Sequence, residues 1–126
     1  MSSQIHGTAE ASRKSGIGYH LIPEPVWNEF RDAALYRPEA YEQDGFIHLT
    51  LGVEPLLAVA NLFYTKDDRA YRVLVLDMAM IQAPVRYEDP DETYPHVYGL
   101  LNLDAVVGEL AVERTADGTF KSIGAA

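Results

Sequence analysis

The sequence predicts a small α+β domain in which a bent, mostly antiparallel sheet packs against two main helices. Two amphipathic helical patterns and several short runs of strand-forming residues are mixed along the chain without regular βαβ alternation, which favours α+β over α/β architecture. The run Tyr71–Asp77 is continuously apolar at its centre, so we expect this strand to lie inside the sheet with both faces covered. The length of 126 residues is that of one domain.

The chain is expected to begin with a disordered arm over 1–16, followed by a single domain over 17–126. Residues 1–16 are small and polar and contain no apolar run, so burial in them could not repay the entropy of ordering. They lack the apolar region of a secretory signal, and no later stretch reaches the roughly 18 apolar residues of a membrane span. We therefore predict that the arm is dispensable for folding.

The first half of the domain is expected to contain two strands and a helix. A short strand is predicted over 17–22, where strand-forming residues are frequent. Val26 and Phe30 recur at helical spacing, and Pro38 marks the end of the helix that they predict. A second strand is expected over 45–50, where apolar residues recur at every second position.

The second half is expected to contain the second main helix and the remaining strands. This helix has Pro55 in its first turn, where the missing N–H costs nothing, and its buried stripe is predicted to be Leu56, Val59, Ala60 and Phe63. Further strands are predicted over 83–88 and 106–112, with a short helical turn over 102–105 between them. The Asp-Gly pair at 117–118 is a hairpin signal with little chain after it to pair.

Composition excludes several classes of function. Ten Lys and Arg against 19 Asp and Glu give a formal net charge of −9, which argues against a nucleic-acid partner because binding to phosphates requires a basic face. The same charge argues against docking on anionic membranes. The chain has no Cys, which excludes disulfides and thiolate metal sites and suits the reducing cytoplasm. We expect a cytoplasmic protein with a small-molecule ligand, and the sequence leaves its oligomeric state open.

The predicted strand over 45–50 carries the first candidate site. His48 and Thr50 share one face of an extended segment, together with Phe46, because side chains alternate with a period of two. A strand that is apolar on one face and presents His and Thr on the other can form the wall of a site. The alternative is structural, since Thr is a common strand former and His48 is then a partly exposed strand residue.

A second candidate site lies in the aromatic segment 94–99. His96 and Tyr98 share a face if this segment is extended, and each offers an apolar ring with a polar tip that suits the lining of a pocket. The alternative is a structural turn in which the Tyr hydroxyls bind backbone groups.

The strand before this segment ends in charged candidates. Glu88 follows Arg86 at the tip of the predicted strand, where a single carboxylate can stabilise a developing cation or orient a hydroxyl. The acidic residues after Glu88 have the pattern of a solvated loop.

His20 in the first strand completes the candidate set, although a lone His in a strand is more often structural. His20, His48, His96 and Glu88 contain the donor atoms of a zinc site, but the chain has no HExxH or similar spacing, and we predict no metal. The sequence also lacks a GxGxxG motif, a P-loop and a GxSxG elbow. These absences leave the common phosphate cradles and one class of serine hydrolase unsupported.

Taken in order, these segments resemble a bacterial family known as domain of unknown function 952. The resemblance covers nearly the whole chain from Tyr19 to about Glu113. It rests on elements that keep the family's order and spacing: YHLI at 19–22, Trp27, DGFIHLT at 44–50, Glu88 and YPHVYG at 94–99. Thr50 stands where the family usually has Ser, and Tyr94 stands where it usually has Phe.

The resemblance implies a fold similar to that of ADP-ribosyltransferases and RNA 2′-phosphotransferases, with a split, strongly bent sheet and a cleft for NAD. In such proteins a His of the first strand contacts a ribose, which implies that role for His20. His48 with Thr50 would then pack on the nicotinamide, and Glu88 or His96 would complete the site.

Alternative functions follow from this set of residues. The first is an NAD-dependent transferase or glycohydrolase, in which His48, Glu88 and His96 are the catalytic candidates. Thr50 and Tyr98 would then line the ligand pocket, and Arg86 is a candidate for contact with the NAD pyrophosphate. The second is a non-catalytic module that binds a nucleotide or a sugar in the same pocket. The third is a structural or interaction domain.

Overall fold

The computed structural model describes residues 16–125, so the predicted arm over 1–16 lies, apart from Gly16, outside the described residues. Within that range the elements follow one another as β1 (Ile17–Pro23), α1 (Glu24–Phe30), β2 (Leu35–Tyr36), α2 (Tyr41–Asp44), β3 (Ile47–His48), α3 (Val53–Phe63), β4 (Tyr71–Asp77), β5 (Val85–Tyr87), β6 (Pro95–Val97), β7 (Leu101–Asn102), β8 (Val106–Arg114) and β9 (Phe120–Ala125). Two 3₁₀ turns add Met78–Met80 and Leu103–Ala105.

The strands of the described region pair antiparallel in sheets of four, three and two strands. The largest has the order β1-β4-β8-β9, the second the order β3-β6-β5, and β2 pairs with β7. The α+β class and the antiparallel pairing are therefore confirmed. The interior position of β4 is also confirmed, since this strand lies between β1 and β8 and its residues Val73 and Leu74 are fully buried.

Thr50 joins two of these sheets through its backbone. Its N–H donates to the Tyr19 carbonyl over 2.9 Å, and its carbonyl accepts from the Tyr19 N–H over 2.8 Å. On its other side the segment is bound to β6, because the Leu49 N–H donates to the Pro95 carbonyl over 3.0 Å. The strand expected over 45–50 is thus reduced to the two residues of β3, and the chain beyond it bridges β1 and β6.

The first helix is shorter than the sequence predicts. It ends at Phe30, and the next residues turn so that Leu35–Tyr36 can pair with Leu101–Asn102. Tyr36 is 1% exposed, and burying its ring against the core outweighs the helical propensity of the residues before Pro38.

The second main helix begins at Val53 and contains Pro55 in its first turn, as predicted. Leu56 and Ala60 are buried as expected, whereas Phe63 is 68% exposed, so its place in the predicted buried stripe is wrong. The core on this side is built by Ala60, Tyr71 and Phe120, and it does not extend to the last turn of the helix.

The C-terminal hairpin turns at Asp117 and Gly118 as predicted, and β9 spans six residues, five of which pair with β8, more than expected. Arg114 fastens this hairpin to the rest of the fold because its guanidinium donates to the carbonyls of Arg69, Tyr64, Thr65 and Gly118. Among the described residues, no helix has both the length and the apolar character to cross a membrane.

Candidate functional site

A cavity of about 170 Å³ lies between β1, α3 and the two segments that precede α2 and β4. Its apolar wall is formed by Leu21, Val26, Leu56 and Val59. Polar side chains from separate stretches of the chain also line it: His20, Tyr36, Asp44, Thr50, Asp67 and Arg69. A concave, mostly apolar surface with a few convergent polar groups is the usual form of a small-molecule site.

His20 is buried beside this cavity with both ring nitrogens engaged. Nδ1 lies 2.8 Å from the His48 carbonyl oxygen, and Nε2 lies 2.8 Å from the Tyr36 hydroxyl. A carbonyl can only accept, so Nδ1 carries the hydrogen and Nε2 accepts from Tyr36. Burial lowers the pKa of His20 to about 4, which keeps the ring neutral at physiological pH. His20 therefore has no hydrogen left to donate to a ribose, the contact that the resemblance implies.

Thr50 lies in the cavity wall. The residue is 4% exposed, and its backbone polar groups are bound to Tyr19. Its side chain makes no hydrogen bond to any other residue within 16–125, and its hydroxyl is not fully buried.

The outer rim of the cavity carries a network of charged groups around Arg69. The guanidinium donates to both carboxylate oxygens of Asp67 and of Glu39, at distances between 2.7 and 3.2 Å. The Tyr71 hydroxyl donates to Asp67 over 2.7 Å. These hydrogen bonds, with Arg69 first, hold the pKa of Asp67 well below its usual range. The network therefore carries one positive and two negative charges in fixed positions.

A second group of candidate residues lies on the exposed side of the three-stranded sheet, which we call the aromatic face. It consists of Phe46, His48, Arg86, Glu88, His96 and Tyr98. His48 pairs directly with His96 across the strands, and Arg86 pairs with His96 from the other side. The Phe46 ring stacks on His96 with 4.0 Å between ring centroids. The sequence correctly placed Phe46 and His48 on one face.

Glu88 is the polar centre of the aromatic face. One of its carboxylate oxygens accepts from the Tyr98 hydroxyl over 2.5 Å and lies 3.0 Å from Nδ1 of His96. These two hydrogen bonds, with Tyr98 first, lower the pKa of Glu88, and the same bond raises the pKa of Tyr98. Arg86 covers the Tyr98 ring at 4.8 Å from its centroid. Glu88 thus fixes the orientation of both the His96 ring and the Tyr98 hydroxyl.

The structure divides the predicted pocket between these two places. His20 and Thr50 line the cavity, whereas Glu88, His96, Tyr98 and Arg86 belong to the aromatic face and are not part of the cavity wall. After β3 the chain lies between the two places, since Thr50 pairs with Tyr19 of β1 while Leu49 donates to the Pro95 carbonyl of β6.

His48 is the residue that touches both places. Its side chain lines the cavity, its Nε2 lies 3.0 Å from an Asp44 carboxylate oxygen, and its ring centroid lies 5.4 Å from that of His96. Two imidazoles, each beside a carboxylate, therefore lie next to one another at the mouth of the cavity.

Several cavity residues were missed by the sequence reasoning: Tyr36, Glu39, Tyr64, Asp67, Arg69 and Tyr71. They come from segments far apart in the chain, and no local spacing connects them. The one available signal was a Tyr count of eight, which is high for this length but does not indicate which rings converge.

No group of three or more His, Asp or Glu side chains within residues 16–125 is arranged to hold a metal ion. The histidines considered for zinc are instead divided between the cavity and the aromatic face.

Comparison with known proteins gives a family and a fold. A family model described as "Protein of unknown function (DUF952)" matches residues 21–109, and no curated protein matches the chain. The crystal structure of protein CC0527 from Caulobacter crescentus has a TM-score of 0.70 at 20% identity, covering 84% of this chain and 94% of that one. Its solution structure has a TM-score of 0.64 at 21% identity, covering 81% and 89%.

At these identities the solved structures support the fold alone. The likeness to ADP-ribosyltransferases that the sequence resemblance implies is carried by neither comparison and stays a prediction. The family match spans more than half of the chain. It begins at Leu21, just after His20, and it includes the segments that contain His48 and His96. The chain therefore belongs to the DUF952 family of proteins of unknown function.

Proposed function

We propose that this protein binds a small organic molecule in the cavity between His20 and Arg69. The observation that carries the proposal is the cavity wall at Thr50, a residue that is 4% exposed and whose side chain makes no hydrogen bond to another described residue. Its hydroxyl is not fully buried, so it is free to bind a molecule in the cavity. A polar group of this kind in the wall of a mostly apolar cavity can orient a small ligand.

The size of the cavity limits the ligand. Its volume of about 170 Å³ lies below the roughly 300–1,000 Å³ of pockets that take drug-sized molecules. A single ring or a short chain with polar ends fits this volume, whereas a whole dinucleotide would extend outside it.

Nicotinamide is a suitable first probe because it is one small ring with a hydrogen-bonding amide. Titration of the ¹⁵N-labelled protein should shift the amide resonances of Leu21, Val59 and Arg69 in the cavity wall. A Val59→Trp variant, which fills the cavity, should abolish these shifts, and Val107→Trp on an exposed strand position should leave them unchanged. Shifts confined to other surfaces, or equal shifts in the Val59 variant, would show that nicotinamide does not use the cavity.

A second candidate function is an NAD-dependent transferase or glycohydrolase, the first alternative of the sequence reasoning. The observation that favours it is the position of His48, which lines the cavity and lies beside His96 on the aromatic face. With the nicotinamide in the cavity, the rest of NAD would pass His48 toward Glu88. Arg69 offers the pyrophosphate little, because its donors are bound to Asp67 and Glu39, so this contact would depend on Arg86.

On this proposal the protein breaks the bond between the nicotinamide nitrogen and C1′ of the ribose, and the bonding electron pair stays on the nicotinamide. Water forms the new bond to C1′ and releases a proton. Glu88 would stabilise the cationic sugar, and His96, oriented by Glu88, would take the proton.

Nicotinamide release from millimolar NAD tests this second candidate. Glu88→Gln keeps the shape of the side chain and removes its charge, so release should fall by about 100-fold or more. Asp91→Asn removes a charge from the neighbouring exposed loop and should leave release unchanged. If the wild-type protein releases no nicotinamide, hydrolysis of NAD is excluded, while binding in the cavity is unaffected.

A further inference from the structure

We propose that the ligand of the cavity is a small organic ammonium ion. This inference rests on the proposed binding function, because it names the class of ligand for the same cavity. It follows from the charges, the hydrogen-bond acceptors and the aromatic rings of the cavity wall.

The charges of the wall favour a cation. Glu39, Asp44 and Asp67 line the cavity together with one guanidinium, that of Arg69, which leaves two net negative charges when His48 is neutral. The Arg69 donors point to Asp67 and Glu39, so an anionic ligand would compete with two carboxylates for them. A positive ligand does not have to displace Arg69, because each Glu39 oxygen accepts one bond from Arg69 and keeps a lone pair for a further donor.

The hydroxyl groups of the wall are arranged as acceptors. Tyr36 gives its proton to Nε2 of His20, and Tyr71 gives its proton to Asp67. Both phenol oxygens therefore keep lone pairs for a donor from the ligand. An ammonium group has up to three such donors and no acceptor, which is the complement of this wall.

Aromatic rings add a further attraction for a positive charge. Tyr36, Tyr64 and Tyr71 all line the cavity, and the centroids of the last two rings lie 6.0 Å apart. A cation near such rings is attracted by their quadrupoles, most strongly where water is excluded. Burial raises the pKa of all three phenols, so the rings stay neutral at physiological pH.

Thr50 provides an observation that is independent of the acidic groups. The residue is 4% exposed and lines the cavity, and its side chain makes no hydrogen bond to another of the residues 16–125. The apolar Leu56 lines the cavity as well. The cavity therefore suits a ligand with an apolar body, a group that hydrogen-bonds to Thr50, and a charged end that binds the tyrosines and carboxylates.

Three probes of one shape and different charge test the inference. Benzylammonium, benzyl alcohol and benzoate share a single ring and carry a positive, a neutral and a negative group. Calorimetric titration of the full chain at neutral pH and low salt should show the tightest binding for benzylammonium, weaker binding for benzyl alcohol and the weakest for benzoate.

Charge-removing variants locate the binding. Asp44→Asn and Glu39→Gln keep the side-chain shape, and each should weaken benzylammonium binding by roughly threefold to tenfold. Glu42→Gln is the matched control, since Glu42 changes the net charge equally but is 80% exposed, pairs with Arg37 and does not line the cavity. Unchanged melting temperatures would show that each variant is folded.

The outcomes separate this inference from the binding function itself. If benzyl alcohol binds as tightly as benzylammonium, the cavity binds small molecules but does not select a cation, and the inference is overturned. If benzoate binds most tightly, it is also overturned. If benzylammonium does not bind but nicotinamide does, the inference is likewise overturned. If neither compound binds, the proposed binding function is overturned as well.

Discussion

The Tyr36 hydroxyl donates a hydrogen bond to Nε2 of His20 over 2.8 Å, and both side chains are buried. The other ring nitrogen of His20 donates to the His48 carbonyl. These two hydrogen bonds fix the tautomer of His20, whose pKa lies well below its ordinary value. They also connect the cavity to β3, the strand that carries His48 of the aromatic face.

The first prediction concerns pH and His20. Because its pKa is lowered from 6.5 to about 4 on folding, the unfolded chain binds the proton first as the pH falls. The free energy of unfolding should therefore decrease between pH 6.5 and about pH 4, by an amount on the order of 3 kcal/mol from this group. Urea unfolding at a series of pH values measures it.

The control for this prediction is His20→Asn, which can still donate to the His48 carbonyl but does not titrate. The difference in unfolding free energy between the two proteins should shrink as the pH falls through this range. A constant difference would contradict the assignment of a neutral, buried His20.

The second prediction concerns the hydrogen bond between Tyr98 and Glu88. Tyr98→Phe removes the donor that contributes most to the low pKa of Glu88, so this pKa should rise toward its ordinary value. NMR titration of the Glu88 carboxyl carbon measures the change. Tyr94→Phe, in the same segment, should leave the pKa of Glu88 where it is in the wild type.

The third prediction concerns the hairpin turn at Gly118. This residue has a φ of +97°, and a Cβ there would lie 2.2 Å from the backbone oxygen of Thr65. Gly118→Ala should therefore destabilise the protein by roughly 2 kcal/mol or more, through strain and displacement of the Thr65 backbone. Gly124→Ala meets no atom within 4 Å, and thermal unfolding should show a much smaller loss for it.

The fourth prediction concerns Arg114, which holds the segment with Arg69 against the hairpin. Its planar guanidinium reaches several carbonyls at once and lies 4.1 Å from the Phe120 ring centroid. Lys cannot reproduce this geometry, so Arg114→Lys should lower the free energy of unfolding by roughly 2 kcal/mol. It should also weaken binding of cavity probes, because the segment forms one wall.

The comparison for Arg114 is Arg37→Lys. Arg37 makes one exposed ion pair with Glu42 at 3.4 Å, and exchange of its head group should change stability by less than about 0.5 kcal/mol. Equal losses in the two variants would indicate that the carbonyl contacts of Arg114 contribute little.

The parts of the fold that the sequence predicted are those determined by local pattern. The apolar run of β4 and the Asp-Gly turn before β9 required no knowledge of distant residues. Side-chain alternation likewise predicted that Phe46 and His48 share a face. The end of α1 could not be read in this way, because the competing interaction is the pairing of Tyr36 with a strand 65 residues later.

The candidate site was predicted in part for the same reason. His48 and His96 lie together because two strands pair in register, as the aromatic face shows. The cavity depends instead on Tyr36, Tyr71 and Arg69, whose convergence is set by tertiary packing rather than by spacing. Thr50 lines the cavity with His48, its neighbour in the strand pattern, but not with His96 and Glu88, which lie on the aromatic face.

The double hydrogen bond between Tyr19 and Thr50 has a consequence for amide hydrogen exchange. Each residue protects the other's N–H, so one opening event that separates the two sheets exposes both amides to deuterium at once. The two amides should therefore exchange at closely similar rates under conditions where opening limits exchange. Because Thr50 also lines the cavity, a bound ligand should slow both rates by the same factor. The two amide signals would then report whether the cavity is occupied.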